Sequence, residues 1–268
     1  MEKNPDMLPK GVLHAVLGGK KFSLQRYEPS KEIGYFVQHY WVVRWDLRGQ
    51  APYSQTVLAH PNVNLVFEQG ASGIFGVAPS TSSHMLAGQG HVFGVKFKPG
   101  GFFPFWQKPV SELYGTSTTI EEVFQVDTAA LEAEILQLPD DQAMVDRFEQ
   151  FLIERLPQQD PNVEKISQLV ARIQADRNVL KVEDAVRLSD MTLRTMQRLF
   201  DRYVGVSPKS VIQRYRLHEA AQLIDQGVVS DWLEMSIALG YYDHSHFIRD
   251  FRSIVGVSPQ QYRQIQSL

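Results

Sequence analysis

Along the first hundred residues, apolar and polar positions alternate over short stretches. YFVQHYWVVRW (35–45), NVNLVFEQ (62–69) and VFGVKFKP (92–99) are rich in Val, Phe, Tyr and Trp, and the clusters QGASG and KPGG punctuate them. From about Gly11 to Phe105 this predicts short strands in an antiparallel sandwich or barrel. From Thr119 to Leu156 the spacing turns helical, and it stops at LPQQDP (156–161), the predicted domain boundary.

Beyond that boundary the three-and-four spacing of amphipathic helices takes over. Val163, Ile166, Leu169, Val170 and Ile173 place one apolar face on a helix over 162–176. Shorter helices are predicted at 182–188 and 192–204. Ser207-Pro208 then supplies an N-cap with proline at the first helical position, opening a long helix that runs to about Asp225 and closes at Gly227. A short helix at 231–239 follows, with Gly240 as its stop. Asp243 caps a helix to Val255, and Ser258-Pro259 opens a last one.

The second half also repeats itself. VGVSP occurs at 204–208 and again at 255–259, 51 positions apart, and MQRLFDRYVGVSPK aligns with FIRDFRSIVGVSPQ so that Arg198 matches Arg249 and Phe200 matches Phe251. In each copy a glycine ends one helix and Ser-Pro starts the next. The duplicated unit is therefore short helix, tight turn, second helix, exit phrase: two helix-turn-helix units joined by one long helix. In such a unit the second helix enters the major groove and reads base edges. In the first unit Met196, Leu199 and Phe200 form the apolar side, leaving Arg194, Thr195, Gln197 and Arg198 to face outward. In the second, Phe247, Phe251 and Ile254 are the buried stripe, and His244, Ser245, Ile248, Arg249 and Arg252 remain outside. Arginine bonds guanine bidentately and glutamine does the same for adenine. The competing reading is a helical bundle whose charged faces are merely solvated; the shared cap, arginine, phenylalanine and exit phrase weigh against it.

Charge changes the picture only once it is divided. The 268 residues carry 27 Lys and Arg against 30 Asp and Glu, a net −3. Residues 160–268 hold 14 basic and 13 acidic side chains, so the acidity sits in the first half. There are no cysteines, which excludes disulfides, thiolate nucleophiles and Cys-ligated zinc. No apolar run approaches a membrane span. MEKNPDMLPKG lacks the pattern of a secretory signal, so a cytoplasmic protein is expected.

RLHEAAQLI (216–224), IALGYYDHSHFIRDFRSIVGVSPQQYR (237–263) and MTLRTMQRLFDRYVGVSP (191–208) resemble the DNA-binding domain of the AraC/XylS family of bacterial transcription regulators. The resemblance implies a sequence-specific transcription factor, an activator in many members, with RNA polymerase as a partner. It puts Arg194, Gln197 and Arg198 on the first reading face and His244, Ser245, Ile248 and Arg249 on the second, about one duplex turn apart along double-stranded DNA. Two departures fall in the first unit: Ser189-Asp190 stands where the family has glycine in the turn, and the family's alanine falls at Val186.

The first half has a looser resemblance, through YFVQHYWVVRW, VLAHPNVNLVFE, GVAPST and GVKFKPGGFFPFW, to an N-terminal domain of one subgroup of these regulators. This implies control by a small-molecule effector or by dimer contact. Trp41, Trp45, Phe67, Phe97 and Phe103 either line an apolar ligand pocket or form the core. Leu131, Ile135 and Leu138 on one helix face are either a homodimer interface or packed on their own domain. His39, His60, His84 and His91 lie among the strands without close metal-ligand spacing; the only H-x-H pair is His244/His246. No metal, cofactor or catalytic residue is assigned, and G-x-S-x-G is absent. The expectation is an α+β chain: residues 1–157 a β-rich, barrel- or sandwich-like regulatory domain with helices, and residues 158–268 an all-α DNA-binding domain of two helix-turn-helix units. The alternative is a metal-binding or enzymatic β-barrel fused to a DNA tether.

Overall fold

The computed structural model describes residues 21–229 and 231–266. Its first part holds eight strands: β1 (Phe22–Tyr27), β2 (Val37–Asp46), β3 (Tyr53–Val57), β4 (Asn64–Phe67), β5 (Gly73–Phe75), β6 (Ser82–Leu86), β7 (Gln89–Phe97) and β8 (Ser117–Thr118). Six form one antiparallel sheet in the order β1-β2-β7-β4-β5-β8, and β3 pairs separately with β6. The three stretches read from the sequence are β2, β4 and β7, neighbours at the centre of the large sheet. The part of the expected strand region from Gly11 to Lys20 lies outside the described residues.

Side chains alternate across a strand, so this sheet has two unlike faces. One carries Tyr40, Val42, Leu65, Phe67, Phe93, Val95 and Phe97, all buried. On the other, Trp41 lies opposite Gly94 and Trp45 opposite Gly90. The indoles fill the space a side chain there would need: a Cβ on Gly94 would meet Trp41 at 2.0 Å.

Four helices follow: α1 (Phe103–Trp106), α2 (Ile120–Phe124), α3 (Thr128–Leu136) and α4 (Asp141–Ile153). Thr119, Asp127 and Asp140 cap the last three by accepting backbone N–H bonds. Phe148 of α4 reaches the large sheet's buried face, its ring 5.7 Å from Phe67 and 5.9 Å from Phe93. Leu131 and Ile135 are buried in this same core and Leu138 packs against it. The helix face raised as a dimer interface is thus spent inside its own chain.

The second half contains α5 (Pro161–Ala175), α6 (Val182–Arg187), α7 (Leu193–Leu199), a π-helical turn (Phe200–Val204), α8 (Pro208–Asp225), α9 (Trp232–Ala238), α10 (His244–Val255) and α11 (Pro259–Gln266). These follow the sequence pattern closely, except that the helix read over 192–204 changes from α to π at Phe200.

One apolar core runs from Ile33 to Tyr215, across the Pro157–Pro161 stretch, and takes in Val163, Ile166, Met196, Phe200 and Val211. A second holds Leu217, Ala220, Ile224, Phe247, Phe251 and Tyr262, together with Leu58 from the strand region. α8 belongs to both. Polar contacts cross the same seam: Tyr35 Oη donates to the Asp160 carbonyl at 2.7 Å and Ser167 Oγ to that of Pro99 at 2.8 Å. The Thr81 N–H donates to the Ile254 carbonyl at 2.9 Å.

A close backbone approach across this seam is at Gly205, which leaves the π turn with φ +89°; a Cβ there would meet the Val110 carbonyl oxygen at 2.9 Å. Gly227 also has positive φ (+70°) but faces open space. Gly227→Ala carries only left-handed strain, about 1 kcal/mol, whereas Gly205→Ala adds a backbone collision. Thermal unfolding should therefore fall further for Gly205→Ala; equal losses would contradict the close docking.

Candidate nucleic-acid interface

The 51-residue offset seen in the sequence holds in three dimensions, position by position. Ala185 and Ser236, both fully buried, are the small residues of the first helices α6 and α9. A small side chain there lets the two helices of a unit approach. The first unit therefore keeps its alanine, one residue before Val186, which is only partly buried; the departure expected at Val186 is not one. The turns do differ. Gly240 ends α9 with φ +85°, whereas Ser189 has no left-handed backbone and its hydroxyl donates to the Val186 carbonyl at 3.2 Å. A different turn geometry, closed by a side chain, accepts serine where the second unit needs glycine.

Each reading helix starts at a matched cap. Thr192 Oγ1 accepts from the Thr195 N–H at 3.2 Å, and Asp243 Oδ1 from the His246 N–H at 2.8 Å. Met196 and Phe247 at matched places are fully buried, as are Phe200 and Phe251. These anchors leave Arg194, Gln197 and Arg198 of α7 exposed, and Ser245, Arg249 and Arg252 of α10. Among the described residues, none of the four arginines takes part in an ion pair. Elsewhere on the surface arginines are engaged, as Arg147 with Glu134 and Arg187 with Asp184. The remaining candidates sit less openly. Thr195 is half-buried and its hydroxyl receives the Thr192 hydroxyl. Ile248 packs against the second core. His244 is half-buried, its ring 6.3 Å from Phe247.

One exposed residue escaped the sequence reading. Tyr242, immediately before the α10 cap, is 98% exposed. The sequence places it in the turn between the Gly240 stop and the Asp243 cap, but an aromatic side chain there gives no sign of whether it packs inward or stands in solvent.

The spacing between the two reading helices depends on α8, which carries two buried cations two residues apart. Arg216 is 2% exposed; it donates to the Ile173 carbonyl at 2.6 Å and pairs with Glu219 at 2.9 Å, and Glu219 also receives Arg177 at 2.8 Å. Arg214 donates to the Pro79 carbonyl at 3.2 Å. Burial holds both guanidinium groups below their usual range, with Glu219 opposing this at Arg216.

The five aromatics proposed for a ligand pocket are not brought together. Phe67 and Phe97 lie in the core on one sheet face, Trp41 and Trp45 on the other, and Phe103 stacks on Tyr203 at 4.2 Å in the seam. His84 is exposed on β6, and His91 Nε2 is 3.2 Å from the Leu136 carbonyl. Among the described residues no group of three His, Cys, Asp or Glu is placed to hold a metal, and no helix is long and apolar enough to cross a membrane.

The profile of a helix-turn-helix domain family matches residues 186–265, which run from the end of α6 through the second unit. This segment is an AraC-type helix-turn-helix domain. Residues 25–119, the strand region, match a domain of unknown function, DUF6597. Relatives of the AraC-type segment include an uncharacterized HTH-type transcriptional regulator of Haemophilus influenzae, 32% identical over 37% of this chain and 33% of its own. The HTH-type transcriptional regulator GbdR of Pseudomonas aeruginosa is 28% identical over 40% of this chain and 29% of its own. This chain thus spans about a third of the length of these curated relatives. Among solved structures, ToxT from Vibrio cholerae matches over 92% of this chain and 99% of its own at 12% identity, with a TM-score of 0.40, too low to carry anything beyond the match.

The cap at Asp243 gives a direct check on the second unit. Asp243→Ala should cost about 1 kcal/mol, the usual loss of an N-cap, and Asp243→Ser should restore most of it. Chemical denaturation of the three proteins measures this; equal stability of all three would mean the cap bond is not formed.

Proposed function

We propose that the chain is a sequence-specific, double-stranded-DNA-binding transcription regulator of the AraC/XylS type. It places α7 and α10 in two successive major-groove segments, under the control of its strand-rich half. The observation that carries this reading is the matched pair of capped helices, each anchored by a buried Phe and each presenting an unpaired arginine, Arg198 or Arg249, at the same position of the repeat. Base readout falls to Arg194, Gln197 and Arg198 in the first unit and to Ser245, Arg249 and Arg252 in the second, with His244, Thr195 and Ile248 at their margins. Tyr242 joins the second set as a residue for phosphate or thymine-methyl contact.

The domain division that goes with this reading is 1–157 and 158–268, the first domain regulating through a small-molecule effector or a second copy of the chain. RNA polymerase is the protein partner and the cytoplasm the compartment. No enzymatic activity is assigned. A ligand biases DNA binding only through a difference in its affinity for two arrangements of the chain, and the shared core gives it something to act on.

Selection of bound sequences from a random DNA pool with the full-length protein tests the reading, the expected product being two boxes about one helical turn apart. Arg249→Ala should lose about 1–3 kcal/mol on the selected site and relax preference at one base position of one box. Uniform weakening on all sequences, with the salt slope falling by about 0.9, would reassign Arg249 to phosphate. Unchanged binding would remove it from the interface.

A further inference from the structure

Cations collect where the large sheet's second face meets α8. His39 of β2 and Lys96 of β7 are cross-strand partners, and Arg26 of β1 lies one row away beside Trp41. Asn64 flanks Lys96 from β4. From the loop before β4, His60 stands against His218 of α8 with ring centroids 4.7 Å apart; Arg214 is one helical turn earlier on the same helix. The Nε2 atoms of both His60 and His218 are buried without a hydrogen-bond partner.

The environment is hostile to charge. Burial, with mutual repulsion, pulls Lys96 down to about 7 and His39 and His218 to about 3, and holds His60 well below its usual value. The charges acting on these four are Arg26, Arg214 and one another; among the described residues no carboxylate is one of them. By contrast with these four, the buried Arg216 is paired with Glu219. Buried imidazole nitrogens without a hydrogen-bond partner, beside a lysine that burial drives toward its neutral form, are costly, and an anion would relieve both at once.

We propose that this seam is a binding site for a small anion, a carboxylate or a phosphate, held between Lys96, His60 and His218. The rest of such a ligand would extend along the seam toward Tyr215. Tyr215, whose ring is 6.0 Å from that of His218, also lines a cleft of about 600 Å³ with Tyr35, Gln38, Lys98 and Ser167. The bound anion touches the sheet and the helix that spaces the two reading helices, so it binds across the seam rather than inside either half. The link to DNA rests on the regulatory reading above; the site itself does not.

Binding must take up protons, because the empty site keeps Lys96 and the histidines largely neutral and the anion favours their charged forms. Affinity therefore rises as pH falls, about tenfold per pH unit above pH 7 for one coupled proton, and further as the histidines join.

Calorimetric titration of the full chain with sodium phosphate and, separately, sodium octanoate tests this. It should be run at pH 6.5, 7.5 and 8.5 in two buffers of different ionisation enthalpy. At least one anion should saturate at one per chain, with proton uptake and weakening toward pH 8.5. Saturation by phosphate alone identifies a phosphate site; by octanoate alone, a carboxylate with an apolar body. Lys96→Met should abolish binding while melting at an equal or higher temperature, since it removes a buried polar amine, and His218→Gln should weaken binding and flatten its pH dependence. The proposal is overturned if neither anion saturates at pH 6.5, if binding takes up no proton, or if Lys96→Met binds as the parent does. No DNA is present, so a failure here leaves the DNA-binding reading standing, and a failed DNA selection leaves this result intact.

Discussion

An eighteen-residue helix, Pro208–Asp225, is buried along nearly its whole length, and it is shared between two cores. Its first half offers Val211, Ile212 and Tyr215 to the core built on the sheet; its second half offers Leu217, Ala220 and Ile224 to the second unit. A helix apolar on both sides cannot stand alone in water, so neither core is complete without it. This constraint fixes the rest: the first unit is packed into the same core as the strands, and the second is carried at the far end of a rigid element, with Thr81 and Leu58 touching it from the strand region. Movement of the sheet relative to the helix would have to be felt at both reading surfaces.

The repeat was legible because it is local. Caps, glycine exits, Ser-Pro starts and three-and-four spacing act within a few residues, and Thr192, Asp243, Ser207 and Phe251 do what their neighbours in sequence say they should. The central strands β2, β4 and β7 were legible through their Val and aromatic content. The edge and outlying strands β1, β3 and β6 were not, since their polar residues alternate or crowd together, as in the SSHML of β6, and the three residues of β5 are too few to show a pattern.

What stayed hidden depends on separation. His60 and His218 are 158 positions apart in sequence yet 4.7 Å apart as rings. Lys96 sits in a strand whose pattern, VFGVKF, reads only as half-buried. The aromatic residues misled for a related reason: composition does not say on which face of a sheet a ring will fall, and a shift of one residue sends it to the other. Trp41 and Phe67 are alike in kind and separated by the thickness of the sheet.

The π turn at Phe200–Val204 has a consequence for the duplication itself. Gly205 closes its turn onto the Phe200 carbonyl, five residues back, while Gly256 closes onto that of Arg252, four back. Gly205 also lies against Val110, whereas Gly256 meets only the hydroxyl of Thr81. The two copies of VGVSP are spelled alike and have become different parts. Drift is open to the second glycine's surroundings and closed to the first's, so descendants of such a duplication should diverge unevenly, with the docked copy holding its spelling longest.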